Sequence, residues 1–214
     1  MKIIDLGLIS YTRAVDIQIR RLHEVKNGGE DTVFFLCHPR VITLGRNGGL
    51  ENLLVDVREL KKMCIEVIQS SRGGNITCHF PDQLIMYPVF RIEKRKGGIK
   101  KFFSDLQQTT IEALEDLGIP AYSRDEYPGV WTNGKKIASI GIAVKNWVTY
   151  HGLSLNMGPD LSLFEHIIPC GLKDAEQTSI YHQTKKDRVD YKKTKEILSA
   201  YMQKQFAHPP LAPS

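Results

Sequence analysis

The chemistry open to this chain starts with one thiol and one amine. Cys170 stands in IIPCGLKD, between Pro169 and Gly171. Proline fixes the approach of the chain and glycine lets backbone come close to a ligand, so a thiol placed there can be exposed and pre-positioned. A cysteine acts as a nucleophile only beside a group that stabilises its thiolate or takes its proton. The candidate partner is Lys136 in NGKKIASIG, which leads from a polar turn into the apolar run 137–143. A lysine at the rim of a buried strand can lose part of its hydration, which suits it to general acid–base work. Taken alone, a lysine beside a hairpin is more often a solvated surface residue. Ser139, Ile140 and Gly141 follow it, a small polar residue and a glycine where backbone can pass close to a bound group.

The other cysteines read as packing. Cys37 lies in an apolar strand run and Cys64 at the end of a short helix, and a free cysteine behaves as a small hydrophobe. Cys78 adjoins His79 in RGGNITCHFPDQ (72–83). Side chains alternate on an extended strand, so Thr77 and His79 share one face and Cys78 takes the other. Adjacency therefore does not make Cys78–His79 a working pair. No C-x-x-C spacing occurs, which leaves no structural zinc signature. His151, Gly152 and Asn156 in HGLSLN add a second histidine–glycine pair on another extended run.

These residues need positioning elements. Arg13–Val25 has helical spacing and stops at Asn27-Gly28-Gly29. Thr32–His38 is a buried strand, VITLG a short one, DVRELKKM a short helix, and IEVIQS a strand leading to Arg72-Gly73-Gly74. ITCHFPDQLIMYPVF is mainly extended. IKKFFSDLQQTTIEALEDLG has one apolar face (Phe102, Leu106, Ala113, Leu114) and a stop at Gly118-Ile119-Pro120. Residues 129–157 give two or three strands with a hairpin turn at Asn133-Gly134. A C-terminal helix follows over YKKTKEILSAYMQKQF, then a frayed tail at 208–214. The order of elements is α+β, one mixed sheet with helices mainly on one face, in a single domain spanning 1–214.

Composition agrees with a soluble globular chain: 42% hydrophobic and 25% charged over 214 residues. No apolar run approaches the roughly 20 residues of a membrane span, and MKIIDLGLIS reads as an edge strand rather than a signal peptide. The expected location is cytoplasmic. The net charge of +5 is short of a nucleic-acid binder but clustered. Arg91–Lys101 holds six basic residues against one acid, and Lys185–Lys195 six against two. Such clusters are usually solvated surface; their functional reading is a landing surface for an acidic macromolecule.

Taken in order, the motifs resemble the lipoyl(octanoyl) transferase family, octanoyl-[acyl-carrier-protein]:protein N-octanoyltransferases. The resemblance rests on TLGRNGG, RGGNITCHFPDQ, GVWTNGKKIASIG, HGLSLN and DLSLFEHIIPCG, spaced across residues 44 to 171. It implies a biotin/lipoate protein-ligase-like fold, a mixed sheet flanked by helices, with an acyl cleft and no cofactor. It implies Cys170 as nucleophile and Lys136 as general acid/base. It implies a substrate cleft of Arg72, Gly73, Gly74, His79, Ser139, Ile140, Gly141, His151, Gly152 and Asn156. The partners implied are octanoyl-acyl carrier protein, the lipoyl domains of 2-oxoacid dehydrogenase complexes and the glycine cleavage H protein, with no nucleic acid and no membrane. Two other readings stay open: an ATP-dependent lipoate–protein ligase on the same fold, and a non-catalytic carrier-protein binding module. Phe80 and Asp82 stand where the family pattern has glycine. If those positions need positive φ, both residues are strained; if they clear space, Phe80 fills part of the acyl pocket and Asp82 adds a charge near the dyad.

Overall fold

In the computed structural model, residues 1–125, 127–169, 175–185 and 189–206 are described. Cys170, and with it the expected nucleophile, lies outside them, as does the tail expected to fray. The main sheet has six strands in the order β1 (Lys2–Leu8), β2 (Thr32–Cys37), β6 (Gln83–Val89), β9 (Val148–Asn156), β8 (Lys135–Lys145), β7 (Val130–Thr132). β1 runs parallel to β2 and the remaining pairs are antiparallel. β3 (Val41–Leu44), β4 (Glu66–Gln69) and β5 (Ile76–His79) form a second sheet, ordered β4-β3-β5. The expectation of one sheet is therefore corrected to two.

Period-2 alternation sends apolar side chains to both faces of the main sheet. Val33, Phe35, Leu84 and Met86 pack with α3 (Gly98–Asp116) and, after the short α4 (Ile180–Thr184), with α5 (Tyr191–Phe206), through Phe102, Leu106, Leu114, Leu198, Met202 and Phe206. The alternate residues Phe34, Leu36, Ile85, Tyr87 and Val89 pack against α1 (Tyr11–Lys26) through Ala14, Leu22 and Val25. Helices thus cover both faces, not mainly one. Fully apolar strands of this kind need cover on both sides, which the sequence order of elements does not reveal.

A third cluster lies behind the small sheet. Ile42, Ile76, Cys78 and Phe80 pack there with Leu60 of α2 (Val57–Lys62) and with Leu163, Phe164 and Ile167. Phe80 is 3% exposed and meets the Phe164 ring edge-on at 5.8 Å. Neither Phe80 nor Asp82 has positive φ, so the condition for strain at these positions is not met. Cys64, expected buried, is exposed, with φ 58° in the turn from α2 to β4. It occupies the left-handed position that glycine usually takes after a helix.

Two arginines of the basic segment 91–101 serve the fold. Arg91 donates to the Val25 and Lys26 carbonyls at the end of α1. Arg95 pairs with Asp31 at 3.3 Å and lies 5.4 Å from the ring centres of both Phe90 and Phe206. Lys94, Lys96 and Lys100 remain exposed.

Candidate active site

A cavity of about 280 Å³ opens between the two sheets. One wall is β8 and β9, the other is β5 with the loop Arg72–Asn75. The loop comes close because neither chain carries a side chain at the contact. The Gly73 amide donates to the Ile142 carbonyl at 3.1 Å, and a Cβ on Gly141 would stand 2.9 Å from the Gly73 carbonyl oxygen. The close approach that Gly141 permits is therefore to Gly73, a protein neighbour.

Arg72, Gly73, Gly74, His79, Lys136, Ser139, Ile140, Gly141, His151 and Gly152 all line this cavity. Arg72 is 7% exposed; its Nε donates to Thr43 Oγ1 at 3.0 Å and its Nη1 to the Gly73 carbonyl at 3.1 Å. Its guanidinium thus holds the loop's shape and brings positive charge to the wall. Thr77 and His79 face the cavity, while Cys78 lies in the apolar cluster behind, where burial pushes its thiol pKa well up. Alternation along β5 foretold that split.

Lys136 is no surface residue: it is 2% exposed. Its Nζ stands 5.8 Å from the Trp131 ring centre, within the range of a cation–π contact. Its backbone pairs with the segment after the thiol. The Lys136 amide donates to the Glu176 carbonyl at 2.8 Å, and the Thr178 amide to the Lys136 carbonyl at 2.9 Å. Lys135, next to it, is exposed and bonded to Glu176.

His151 lies on β9, which does neighbour the Lys136 strand, but at its far end: its register partner is Ile142. Ile142 lies six steps along the strand from Lys136, about 20 Å at a strand's rise. The cavity therefore runs lengthwise, Lys136 at one end and His151 at the other. His151 itself has φ 58°, and its amide donates to Gln18 Oε1 at 2.6 Å. Its Nε2 lies 3.1 Å from Ser71 Oγ. Burial, then the charges of Arg72 and Arg46, depress its pKa to about 3.

Three residues around the histidines escaped the sequence reading. Tyr11 stacks on His79 and His151 at 6.0 and 6.1 Å, and its hydroxyl meets Ser70 Oγ at 2.6 Å. His38 donates from Nδ1 to the Ile9 carbonyl at 2.7 Å and accepts from the Tyr87 hydroxyl at 3.0 Å. Burial lowers the His38 pKa to about 4. Nothing local in the sequence links Tyr11, His38 and Tyr87, which come from separate elements.

Asn156 is not among the described walls. It stands behind them, donating to the Thr178 carbonyl at 2.9 Å and accepting from Gln83 Nε2 at 2.9 Å. Gln83 Nε2 also reaches the Cys78 carbonyl at 3.3 Å, and its Oε1 lies 3.1 Å from His79 Nδ1. Gln83 closes the stretch RGGNITCHFPDQ, so its signal was present but unused. Asp82 points elsewhere, toward Tyr191 at the start of α5, where burial first and then the Asp82 charge raise that phenol's pKa. Among the described residues no three His, Cys, Asp or Glu side chains group to hold a metal, and no helix is long and apolar enough to cross a membrane.

Residues 10–203 match the lipoyl protein ligase A/B catalytic domain family. The chain belongs to that family. An octanoyltransferase of Nitratidesulfovibrio vulgaris is 51% identical over 212 residues, 99% of this chain and 97% of the relative. One from Maridesulfovibrio salexigens is 52% identical over 188 residues, 87% and 88% of the two chains. Solved structures agree in fold at lower identity. The bipartite lipoate protein ligase of Thermoplasma acidophilum gives a TM-score of 0.78 at 18% identity, covering 96% of this chain and 83% of that one. Lipoate-protein ligase A bound with ATP gives 0.76 at 16% identity, covering 96% and 85%. The lipoyl protein ligase A/B family fold is thus the biotin/lipoate-ligase-like mixed sheet flanked by helices that the motifs implied.

Proposed function

We propose that this chain is an octanoyltransferase of lipoate biosynthesis, moving an octanoyl group from acyl carrier protein to a lysine of a lipoyl domain. The observation that carries the reading is Lys136, a lysine 2% exposed at one end of an elongated cavity, with its backbone paired to residues 176–178 that follow Cys170 in the chain. Near identity in length with octanoyltransferases at 51% identity supports it.

The mechanism has two balanced steps. The Cys170 thiolate attacks the carrier thioester carbonyl; a new C–S bond forms, the carrier C–S bond breaks, and the carrier thiolate leaves with the proton that Cys170 gave up through Lys136. The acyl group is then a thioester on Cys170 and keeps its activation, so no nucleotide is consumed. The amine of the acceptor lysine next attacks; the C–N bond forms, the C–S bond breaks, and Lys136 passes the surplus amine proton to the departing sulfur. Arg72, Gly73, Gly74, His79, Ser139, Ile140, Gly141, His151 and Gly152 enclose the acyl thioester, while Asn156 acts from behind. The acceptors are lipoyl domains of 2-oxoacid dehydrogenase complexes and the glycine cleavage H protein, approached with the acidic carrier through the exposed Lys94, Lys96 and Lys100. The site of action is the cytoplasm.

Steady-state transfer from octanoyl-carrier protein to a lipoyl domain tests this reading. Lys136→Ala and Cys170→Ala each abolish transfer while the fold is retained. Equal activity in either variant overturns it, and acyl transfer that needs lipoate and ATP overturns it in favour of a ligase.

A further inference from the structure

The hydrogen bonds behind the cavity wall run in one direction only. The Thr178 carbonyl can only accept, so Asn156 must present Nδ2 to it and Oδ1 to Gln83. Gln83 must then donate from Nε2, both to Asn156 and to the Cys78 carbonyl, which leaves Oε1 for His79. Oε1 can only accept, so His79 carries its proton on Nδ1. Two backbone carbonyls thereby dictate the tautomer of a histidine several residues away. The other ring nitrogen, Nε2, is the acceptor, and it is buried with no hydrogen-bond partner among the described residues. His79 is 4% exposed on a ring that lines the cavity. A buried acceptor left open in this way is costly unless a ligand supplies the donor.

The chemistry of the two substrates says which ligand that is. Once the carrier and the amide-bearing arm of its thiol have left, the octanoyl thioester on the enzyme offers hydrocarbon, a carbonyl and sulfur, none of them a donor. The incoming amine brings N–H groups. Resting on the octanoyl-transfer reading, we infer that Gln83 is a positioning residue that holds His79 Nε2 as the hydrogen-bond acceptor for the acceptor lysine's amine. The bond turns the amine so that its lone pair meets the thioester carbon. His79 takes no proton in the step; the C–N bond forms, the C–S bond to Cys170 breaks, and the surplus proton goes to the sulfur through Lys136. Burial, with His38, Arg72 and His151 as its charged or titratable neighbours, keeps the ring pKa well below that of a free histidine. Tyr11, stacked on it, stays a neutral phenol because burial raises its pKa. A ring so placed orients an amine rather than deprotonating it.

The half-reactions separate this inference from the reading beneath it. Acylation of Cys170 is followed by intact mass, and transfer from isolated acyl-enzyme to a lipoyl domain by rapid quench. Gln83→Leu slows transfer about tenfold through kcat rather than KM and leaves acylation within twofold. Nitrogen-15 NMR of the wild type reads the ring directly: His79 is protonated at Nδ1, and adding an unmodified lipoyl domain shifts the bare Nε2 resonance. If Gln83→Leu does not fold, this readout decides alone. Parallel slowing of both half-reactions, an unchanged transfer rate, or an Nε2 resonance that the lipoyl domain leaves unmoved overturns the inference. Absence of any wild-type acylation at Cys170 overturns the transferase reading instead.

Discussion

Gly129 and Lys136 occupy one another's space. A Cβ on Gly129 would lie 2.5 Å from Lys136 Cε and 2.5 Å from the Ala138 carbonyl oxygen, and Gly129 holds φ at +131°. The buried lysine reaches the cavity through a gap that only glycine leaves. Gly129→Ala adds backbone strain of about 1–3 kcal/mol and displaces the amine. We expect transfer to drop at least tenfold in a variant that still folds, measured by lipoyl-domain acylation beside a thermal melt. Full activity would mean that the Lys136 position does not matter.

Phe80→Ala separates packing from specificity. The ring is buried against Phe164 in the cluster behind β5 and is not a described wall of the cavity. Loss of a buried phenylalanine costs about 3 kcal/mol. A urea titration should register that loss, while the preference for octanoyl over longer or shorter acyl chains stays unchanged. A shifted preference would place Phe80 at the acyl chain after all.

His38 makes the fold acid-sensitive. Its pKa is about 4 when folded and near 6.5 when unfolded. The unfolded chain therefore binds the proton first as pH falls, and stability present above pH 6.5 is lost on the way down to 4. Between pH 6.5 and 5 this residue accounts for roughly 2 kcal/mol. Protonation of Nε2 would also end its acceptance from Tyr87. His38→Gln should reduce the pH dependence of the urea midpoint over that window by one histidine's share, with the buried His79 and His151 keeping the rest; an unchanged slope assigns the acid sensitivity to those two alone.

Much of this was legible in the sequence, for reasons that differ by residue. α3 was plain because its apolar residues keep helical spacing and Gly118 ends it. The Cys78–His79 split was plain because strand period is 2. Lys136 looked exposed because local sequence shows its polar neighbour Lys135 and not the Trp131 ring that covers it. Phe80 and Asp82 left strain and space-filling both open, because a pattern of glycines carries no record of backbone angles. Tyr11 and His38 were invisible because only tertiary folding brings α1 and the end of β2 to β5 and β9. Asn156 was expected in the cleft, yet it stands one layer behind, bonded to Gln83.

The central claim is a covalent one, and intact-mass analysis of the enzyme mixed with octanoyl-acyl carrier protein tests it most directly. We expect one octanoyl adduct, mapped to Cys170, absent from Cys170→Ala and discharged on adding a lipoyl domain. An adduct on Cys78, or none while a lipoyl domain is still acylated, would contradict the account.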